Sequence, residues 1–218
     1  MKIGILWDLD GTLLDSLEDL KDSVNHTLMQ YGLPTRSLEE IRSFVGNGAR
    51  RLIALSLPGA SEDPDVDTVL RDYQAYYQSH SQIKTKPYEG IVHALAALGE
   101  RYPMAVVSNK PDRAVKALCA DYFPGMLAMG EREDCPRKPA PDMIYLAMKA
   151  LKVDACVYVG DSEVDVLTAK NAGVPCLSVL WGFRDEETIK QAGGKYFCRK
   201  TEELVDKIQN IVGEVYGQ

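Results

Sequence analysis

The sequence predicts an α/β protein: a doubly wound parallel-sheet core, Rossmann-like, with an inserted all-helical cap domain. Two patterns predict the core. Short apolar runs, continuous rather than alternating, recur along the chain and suit strands covered on both faces. Helical patterns separate most of them, the arrangement of a parallel sheet wound with crossover helices. A third observation marks the insertion: between Asp15 and Lys86 no strand pattern appears.

The elements follow in order. The first apolar run, Ile3–Trp7, is stopped by Asp8, and Gly11–Ser16 reads as a linker. Leu17, Leu20, Val24, Leu28 and Tyr31 then recur at helical spacing, as do Val66, Val69, Leu70, Tyr73 and Tyr77. Ser37 with Glu40 has the pattern of a capping box ahead of Ile41 and Phe44. Lys84–Gly90 is the returning linker, with Pro87 and Gly90 as a rigid re-entry point. Further strands are expected at Met104–Val107, Cys156–Val159, Cys176–Leu180 and Lys195–Cys198. Helices are expected at Asp112–Tyr122, Pro141–Leu151, Val164–Ala172, Glu186–Ala192 and Glu202–Val215. The expected division is a core from 1–15 and 87–218 and a helical cap from 16–86.

Composition limits the function classes. The chain has 218 residues, 25 basic and 32 acidic, for a net charge of −7. An acidic balance argues against nucleic-acid and anionic-membrane partners, both of which call for basic surfaces. A hydrophobic content of 45% with 26% charged residues is that of an ordinary soluble domain. Ile3–Trp7 is too short for a signal peptide or a membrane span, and no later run approaches that length. The five cysteines, Cys119, Cys135, Cys156, Cys176 and Cys198, are widely spread with no CxxC pair. They read as small buried hydrophobes in a reducing, cytoplasmic setting rather than as nucleophiles.

Three expected strands run into polar residues: Asp8-Leu9-Asp10-Gly11-Thr12, Ser108-Asn109-Lys110 and Gly160-Asp161-Ser162. In an open parallel sheet, ligands sit outside the carboxyl ends of the strands, so these segments meet in one crevice. Asp8 and Asp10, two apart on extended chain, share a side, and Asp161 and Asp165, four apart, share a helix face. Clustered carboxylates repel one another unless a cation sits among them. Hard oxygen ligands without a His or Cys set select Mg²⁺ or a similar ion rather than Zn²⁺. Ordinary roles compete for single residues. Ser162 and Asp165 also fit a capping box, Ser108 could simply turn the chain, and Lys138 before Pro139 could be solvated.

Taken together, these segments resemble a known family. Asp8-Leu9-Asp10-Gly11-Thr12-Leu13, Val107-Ser108-Asn109-Lys110, Lys138-Pro139 and Gly160-Asp161-Ser162-Glu163-Val164-Asp165 are similar to the four ordered motifs of the haloacid dehalogenase superfamily. Phe44-Val45-Gly46-Asn47-Gly48, Lys86-Pro87-Tyr88-Glu89-Gly90 and Trp181-Gly182-Phe183-Arg184 resemble its phosphoglycolate phosphatase branch.

The resemblance implies a Mg²⁺-dependent phosphatase that hydrolyses a small phosphorylated metabolite, 2-phosphoglycolate, through an aspartyl phosphate. It makes Asp8 the nucleophile and Asp10 the general acid and base. Asp8, the Asp10 backbone carbonyl and Asp161 become the Mg²⁺ ligands, supported by Asp165. Ser108, the Asn109 N–H and Lys138 become the phosphate partners. Thr12 fixes the loop. Arg50 and Arg51 are candidate clamps for a substrate carboxylate, against the plainer reading of a solvated pair on a helix. Asp10 disfavours dehalogenation, because the dehalogenating members lack that second aspartate. A pyrophosphatase, a broad sugar-phosphate phosphatase or phosphomutase, and a phospho-acceptor signalling module stand as alternatives. The expected assembly is a monomer or homodimer.

Overall fold

The computed structural model describes residues 1–59 and 64–217. Six parallel strands form the main sheet: β1 (Ile3–Trp7), β4 (Met104–Pro111), β5 (Leu127–Glu131), β6 (Ala155–Gly160), β7 (Cys176–Val179) and β8 (Tyr196–Cys198). Their spatial order is β5-β4-β1-β6-β7-β8, with β1 and β6 at the centre. Helices cover both faces. Ile3, Ile5 and Trp7 of β1 pack towards α5 (Ile91–Gly99), α6 (Asp112–Tyr122) and α10 (Leu204–Tyr216). Leu6 packs on the other face with α7 (Asp142–Leu151), α8 (Glu163–Ala172) and α9 (Glu186–Gln191). Burial on both sides is why β1 and β6 read as unbroken apolar runs.

The interval between β1 and α5 carries α1 (Leu17–Gln30), α2 (Leu38–Phe44), α3 (Ala49–Ser56) and α4 (Val66–His80). These helices gather a hydrophobic cluster of their own, including Leu20, Val24, Leu28, Ile41, Leu52 and Val69. One residue of that cluster, Phe183, comes from the loop after β7. The predicted capping box forms at α2: the Ser37 side chain accepts from the Glu40 N–H and the Glu40 carboxylate from the Ser37 N–H. The two connecting segments pair with each other as short antiparallel strands, β2 (Leu14–Asp15) and β3 (Lys86–Pro87). Asp19, nearly fully buried, holds the return. Its carboxylate accepts the backbone N–H groups of Ile83, Lys84 and Thr85 at 2.8–3.0 Å and the Thr85 hydroxyl at 2.7 Å.

Some elements depart from the sequence reading. β5 lies at the sheet edge, where most of its residues are only partly buried, so Leu127-Ala128-Met129-Gly130-Glu131 lacks the apolar run that marks central strands. α5 is short and almost wholly apolar, and its buried face does not stand out from the rest. The last helix, expected from Glu202, opens as a 3₁₀ turn at Thr201–Glu203. All five cysteines are buried free thiols, as expected. Among the described residues, no helix is long and apolar enough to cross a membrane.

Candidate active site

Strand register builds the site. Trp7 pairs with Val106 of β4 and with Val159 of β6, so the residues just beyond these pairs converge at the carboxyl edge. They are Asp8, Ser108 and Asp161. The Asp8 N–H donates to the Val159 carbonyl at 2.8 Å, extending the ladder by one residue and fixing where the Asp8 side chain leaves the sheet.

Lys138 stands at the centre, buried. Its Nζ donates to Asp8 Oδ1 at 2.8 Å, to Asp165 Oδ1 at 2.7 Å and to the Tyr158 hydroxyl oxygen at 2.9 Å. The other Asp165 oxygen accepts from the Ser162 hydroxyl at 2.6 Å and from the Ser162 and Asp161 N–H groups at 3.1 and 3.2 Å. Asp165 therefore serves both readings, closing the capping box of α8 with one oxygen and holding Lys138 with the other. Asp161 accepts from the Thr12 hydroxyl at 3.1 Å and from the Phe183 N–H at 2.7 Å. Gly11 and Gly182 press against it, and a Cβ on either would collide with the Asp161 carboxylate. Gly11 also has φ +84°, where other residues are strained.

The charges in this buried group do not cancel. Carboxylate oxygens of Asp8, Asp161 and Asp165 lie within 4.8 Å of one another. Lys138 is the one cation paired with any of them among the described residues. With all three ionised, three carboxylates against one ammonium would leave two negative charges. Burial pushes the Asp8 carboxyl up to about 7, against the pull of Lys138. Burial, followed by repulsion from Asp165 and Asp8, holds Asp161 well above the usual carboxylate range. Burial opposes the Lys138 charge, but Asp165 and Asp8 outweigh it and raise the ammonium well above its usual range. An all-oxygen donor set with two uncompensated negative charges fits a hard divalent cation.

Asp10 faces a different partner. Lys110 Nζ donates to both its oxygens at 2.9 and 3.0 Å, and the Ser16 hydroxyl to Oδ1 at 2.5 Å. Lys110 also sits 4.7 Å from the centre of the Tyr77 ring, on α4. Asn109 spends its carboxamide on structure. It donates to the Gly46 and Lys138 carbonyls at 3.1 and 3.0 Å and accepts the Lys138 N–H at 2.8 Å.

A cavity of about 520 Å³ opens over these groups. Asp8, Asp10, Ser108, Asn109, Lys138 and Asp161 line it from the sheet edge. Leu20, Val45, Leu52, Tyr73 and Tyr77 line it from the helical insertion. Thr12 is fully buried behind Asp161 rather than on the cavity wall. Arg50 and Arg51 are not on the wall either. Arg50 is exposed and paired with Asp67 at 2.8 Å, because its position on α3 turns it away from the site. The cations that do reach the wall are Lys110, Arg113, Lys138 and Arg184.

Sequence reasoning missed several participants. The Tyr158 hydroxyl lies 3.1 Å from Asp165 Oδ1 and from the Val107 carbonyl, yet Tyr158 sits inside an apolar run with nothing to mark it. Ser16 and Lys110 carried a faint signal, since both belong to segments already singled out, though neither was given a role. Arg184 joins the insertion to the core: it pairs with Glu163 at 2.9 Å and donates to the Arg42 and Val45 carbonyls at 2.7 and 2.6 Å.

Buried carboxylates, a buried lysine and hydrogen-bond donors at the carboxyl edge of a parallel sheet define the class: an α/β enzyme built around an acidic, cation-assisted centre. The comparisons with known proteins agree. Residues 5–179 match the family model described as haloacid dehalogenase-like hydrolase. The chain is 37% identical over 193 residues to a phosphoglycolate phosphatase of Rhodobacter capsulatus, spanning 84% of this chain and 87% of that protein. It is 32% identical over 199 residues to phosphoglycolate phosphatase 1 of Pseudomonas aeruginosa, spanning 86% and 72%. A crystal structure from Lactobacillus delbrueckii subsp. bulgaricus superposes with a TM-score of 0.87 at 34% identity, covering 94% of this chain and 97% of that one. The chain belongs to the haloacid dehalogenase-like hydrolase family. Within it, the protein is an enzyme of the phosphoglycolate phosphatase-like branch.

Proposed function

We propose that the protein is a Mg²⁺-dependent phosphatase that hydrolyses 2-phosphoglycolate through an aspartyl phosphate on Asp8. One observation carries the reading: the Asp8 carboxylate is steered by Lys138 through Oδ1, within an acidic group short of two positive charges. Asp8 and Asp161, with the Asp10 backbone carbonyl, are the residues that would hold the ion. When bound, Mg²⁺ neutralises negative charge between nucleophile and phosphate.

The chain's own residues perform the rest. A phosphomonoester repels nucleophiles, so positioning and charge neutralisation dominate its hydrolysis. Lys138 aims Asp8 and offsets charge on the phosphoryl group. The Ser108 hydroxyl and the Asn109 N–H hydrogen-bond its oxygens. An Asp8 oxygen bonds to phosphorus as the ester P–O bond breaks, and protonated Asp10 gives its proton to the departing glycolate oxygen. Water then attacks phosphorus, Asp10 takes the water proton, and the acyl-phosphate bond breaks to release Asp8 and phosphate. Splitting the reaction lets one acid serve both halves. In the resting structure Lys110 and Ser16 hold the Asp10 carboxylate in place.

In this reading residues 16–86 act as a cap that closes over the crevice and excludes water. The protein works on a small soluble metabolite in the cytoplasm, as a monomer or homodimer. A second reading, a sugar-phosphate phosphatase on the same scaffold, is favoured by the cavity. About 520 Å³ lies in the range for drug-sized ligands and exceeds what a two-carbon substrate fills. Measuring kcat/KM with Mg²⁺ for 2-phosphoglycolate beside sugar phosphates and pyrophosphate decides between them. A clear preference for 2-phosphoglycolate supports the first reading, and a preference for sugar phosphates the second.

A further inference from the structure

Of the cations on the cavity wall, three are already engaged. Lys138 is held by Asp8 and Asp165, Lys110 by Asp10, and Arg184 by Glu163 and the carbonyls at the end of α2. The side chain of Arg113, an exposed residue, makes no hydrogen bond or ion pair with any described residue, although it lines the same cavity. It lies in the first turn of α6, shortly after the Ser108-Asn109-Lys110 segment, and lines the cavity together with those residues. A guanidinium left unpaired beside a phosphate-binding segment is placed to meet a second anion.

The opposite wall supplies an independent observation. Tyr73 of α4 lines the cavity and is only 2% exposed, yet its hydroxyl makes no hydrogen bond within the described protein. Unlike the neighbouring Tyr77 hydroxyl, which is sealed away from solvent without a partner, the Tyr73 hydroxyl is not enclosed. The two rings stack at 5.5 Å, so the position of Tyr73 is set by packing rather than by its own polar group. A buried tyrosine normally finds a partner for its O–H, and leaving one unmade is unfavourable. Gln74 and Gln78 flank the same slot and add carboxamides at its rim.

We propose that the slot between α4 and α6, with Arg113 and Tyr73 as its specificity-determining residues, receives a carboxylate on the substrate, next to the phosphate. This rests on the phosphatase reading above and deepens it. It also replaces Arg50 and Arg51 as the expected clamp. The guanidinium would take the carboxylate bidentately, while the tyrosine hydroxyl donates to it from the other side. A carboxylate one methylene from the phosphate ester, as in 2-phosphoglycolate, suits an arginine on the wall of the same cavity.

The test compares binding of two non-hydrolysable probes by calorimetry, 3-phosphonopropionate and propylphosphonate, which differ in the carboxylate. The wild-type enzyme should bind the first roughly 10- to 100-fold more tightly, the range for a charge-assisted hydrogen-bonded pair. Arg113→Ala should bring that ratio close to one, Arg113→Lys should restore part of it, and Tyr73→Phe should lower it roughly two- to tenfold. A ratio that survives in Arg113→Ala, or a wild-type ratio near one, overturns the proposal. Turnover of 2-phosphoglycolate is measured in parallel. Full turnover with an unchanged ratio in Arg113→Ala sinks the slot and spares the phosphatase reading. A carboxylate-dependent ratio without 2-phosphoglycolate turnover supports the slot and removes that substrate.

Discussion

The two walls of the cavity are built in opposite ways. On the sheet side, every charged group is held by hydrogen bonds 2.7–3.1 Å long: Asp8 and Asp165 by Lys138, Asp10 by Lys110, and Asp161 by the Thr12 hydroxyl and the Phe183 N–H. On the insertion side, Leu20, Val45, Leu52, Tyr73 and Tyr77 make an apolar wall with few polar atoms. A reaction shared by many relatives needs charges held to within a fraction of an ångström. Recognition of one substrate needs a shape and one or two polar contacts, which a helical wall can change without disturbing the chemistry. In the proposed reading the sheet wall would carry the reaction, and the choice of substrate would fall to Tyr73 on the helical wall with Arg113 of α6 opposite.

The comparison breaks most easily at Asp8. Asp8→Asn removes the proposed nucleophile and should lower kcat by at least about 10⁴-fold while circular dichroism and melting stay near wild type. Retention of a tenth of the activity in a folded variant would move the nucleophile elsewhere.

Lys138→Met comes next, because it strips the sheet wall of its buried cation. Breaking a buried ion pair from one side costs about 3–5 kcal/mol, so the metal-free variant should unfold at clearly lower denaturant. An unchanged midpoint would mean that the carboxylates give up their charge when Lys138 is lost.

A smaller effect concerns pH. The folded protein holds the Asp8 proton up to about 7, and Asp161 also binds its proton more tightly than an exposed carboxylate. The stability these groups contribute is present below the ordinary carboxylate pKa and is lost as pH rises through the folded values. A divalent cation bound by the ionised pair reverses that loss. The rise in Tm on adding Mg²⁺ should thus be larger at about pH 8 than at about pH 5. An increment independent of pH would show that the ion does not compete with these protons.

The smallest expected effect lies outside both walls. Arg50→Ala removes an exposed pair with Asp67 and should leave Tm unchanged and kcat/KM within about twofold. A tenfold rise in KM for 2-phosphoglycolate would return Arg50 to the substrate.

The legible part of the site was the part written along single segments. Asp8 and Asp10 stand directly after a strand whose two-sided burial makes it conspicuous, and Asp161 follows another. Ser162 with Asp165 was legible as a cap, because a capping box is local. Tyr158 was not, since an inward-facing tyrosine in a strand looks like any other core residue until Lys138, twenty positions earlier, reaches its hydroxyl. Arg184 stood inside a recognised motif, but its partners were hidden: Glu163 lies 21 positions earlier, and the carbonyls at the end of α2 about 140.

The sequence by itself determined the α/β class, the helical insertion, the order of the acidic segments and the kind of cation they suit. Those properties follow from periodicity, local hydrogen bonding and the charge carried by each segment. Only the tertiary structure decided which cations meet which acids: Lys138 between Asp8 and Asp165, Lys110 on Asp10, Arg113 with no side-chain partner among the described residues, and Arg50 turned away. Long basic side chains reach several neighbours with little preference in the sequence, and the choice among them is made by strand register and helix packing.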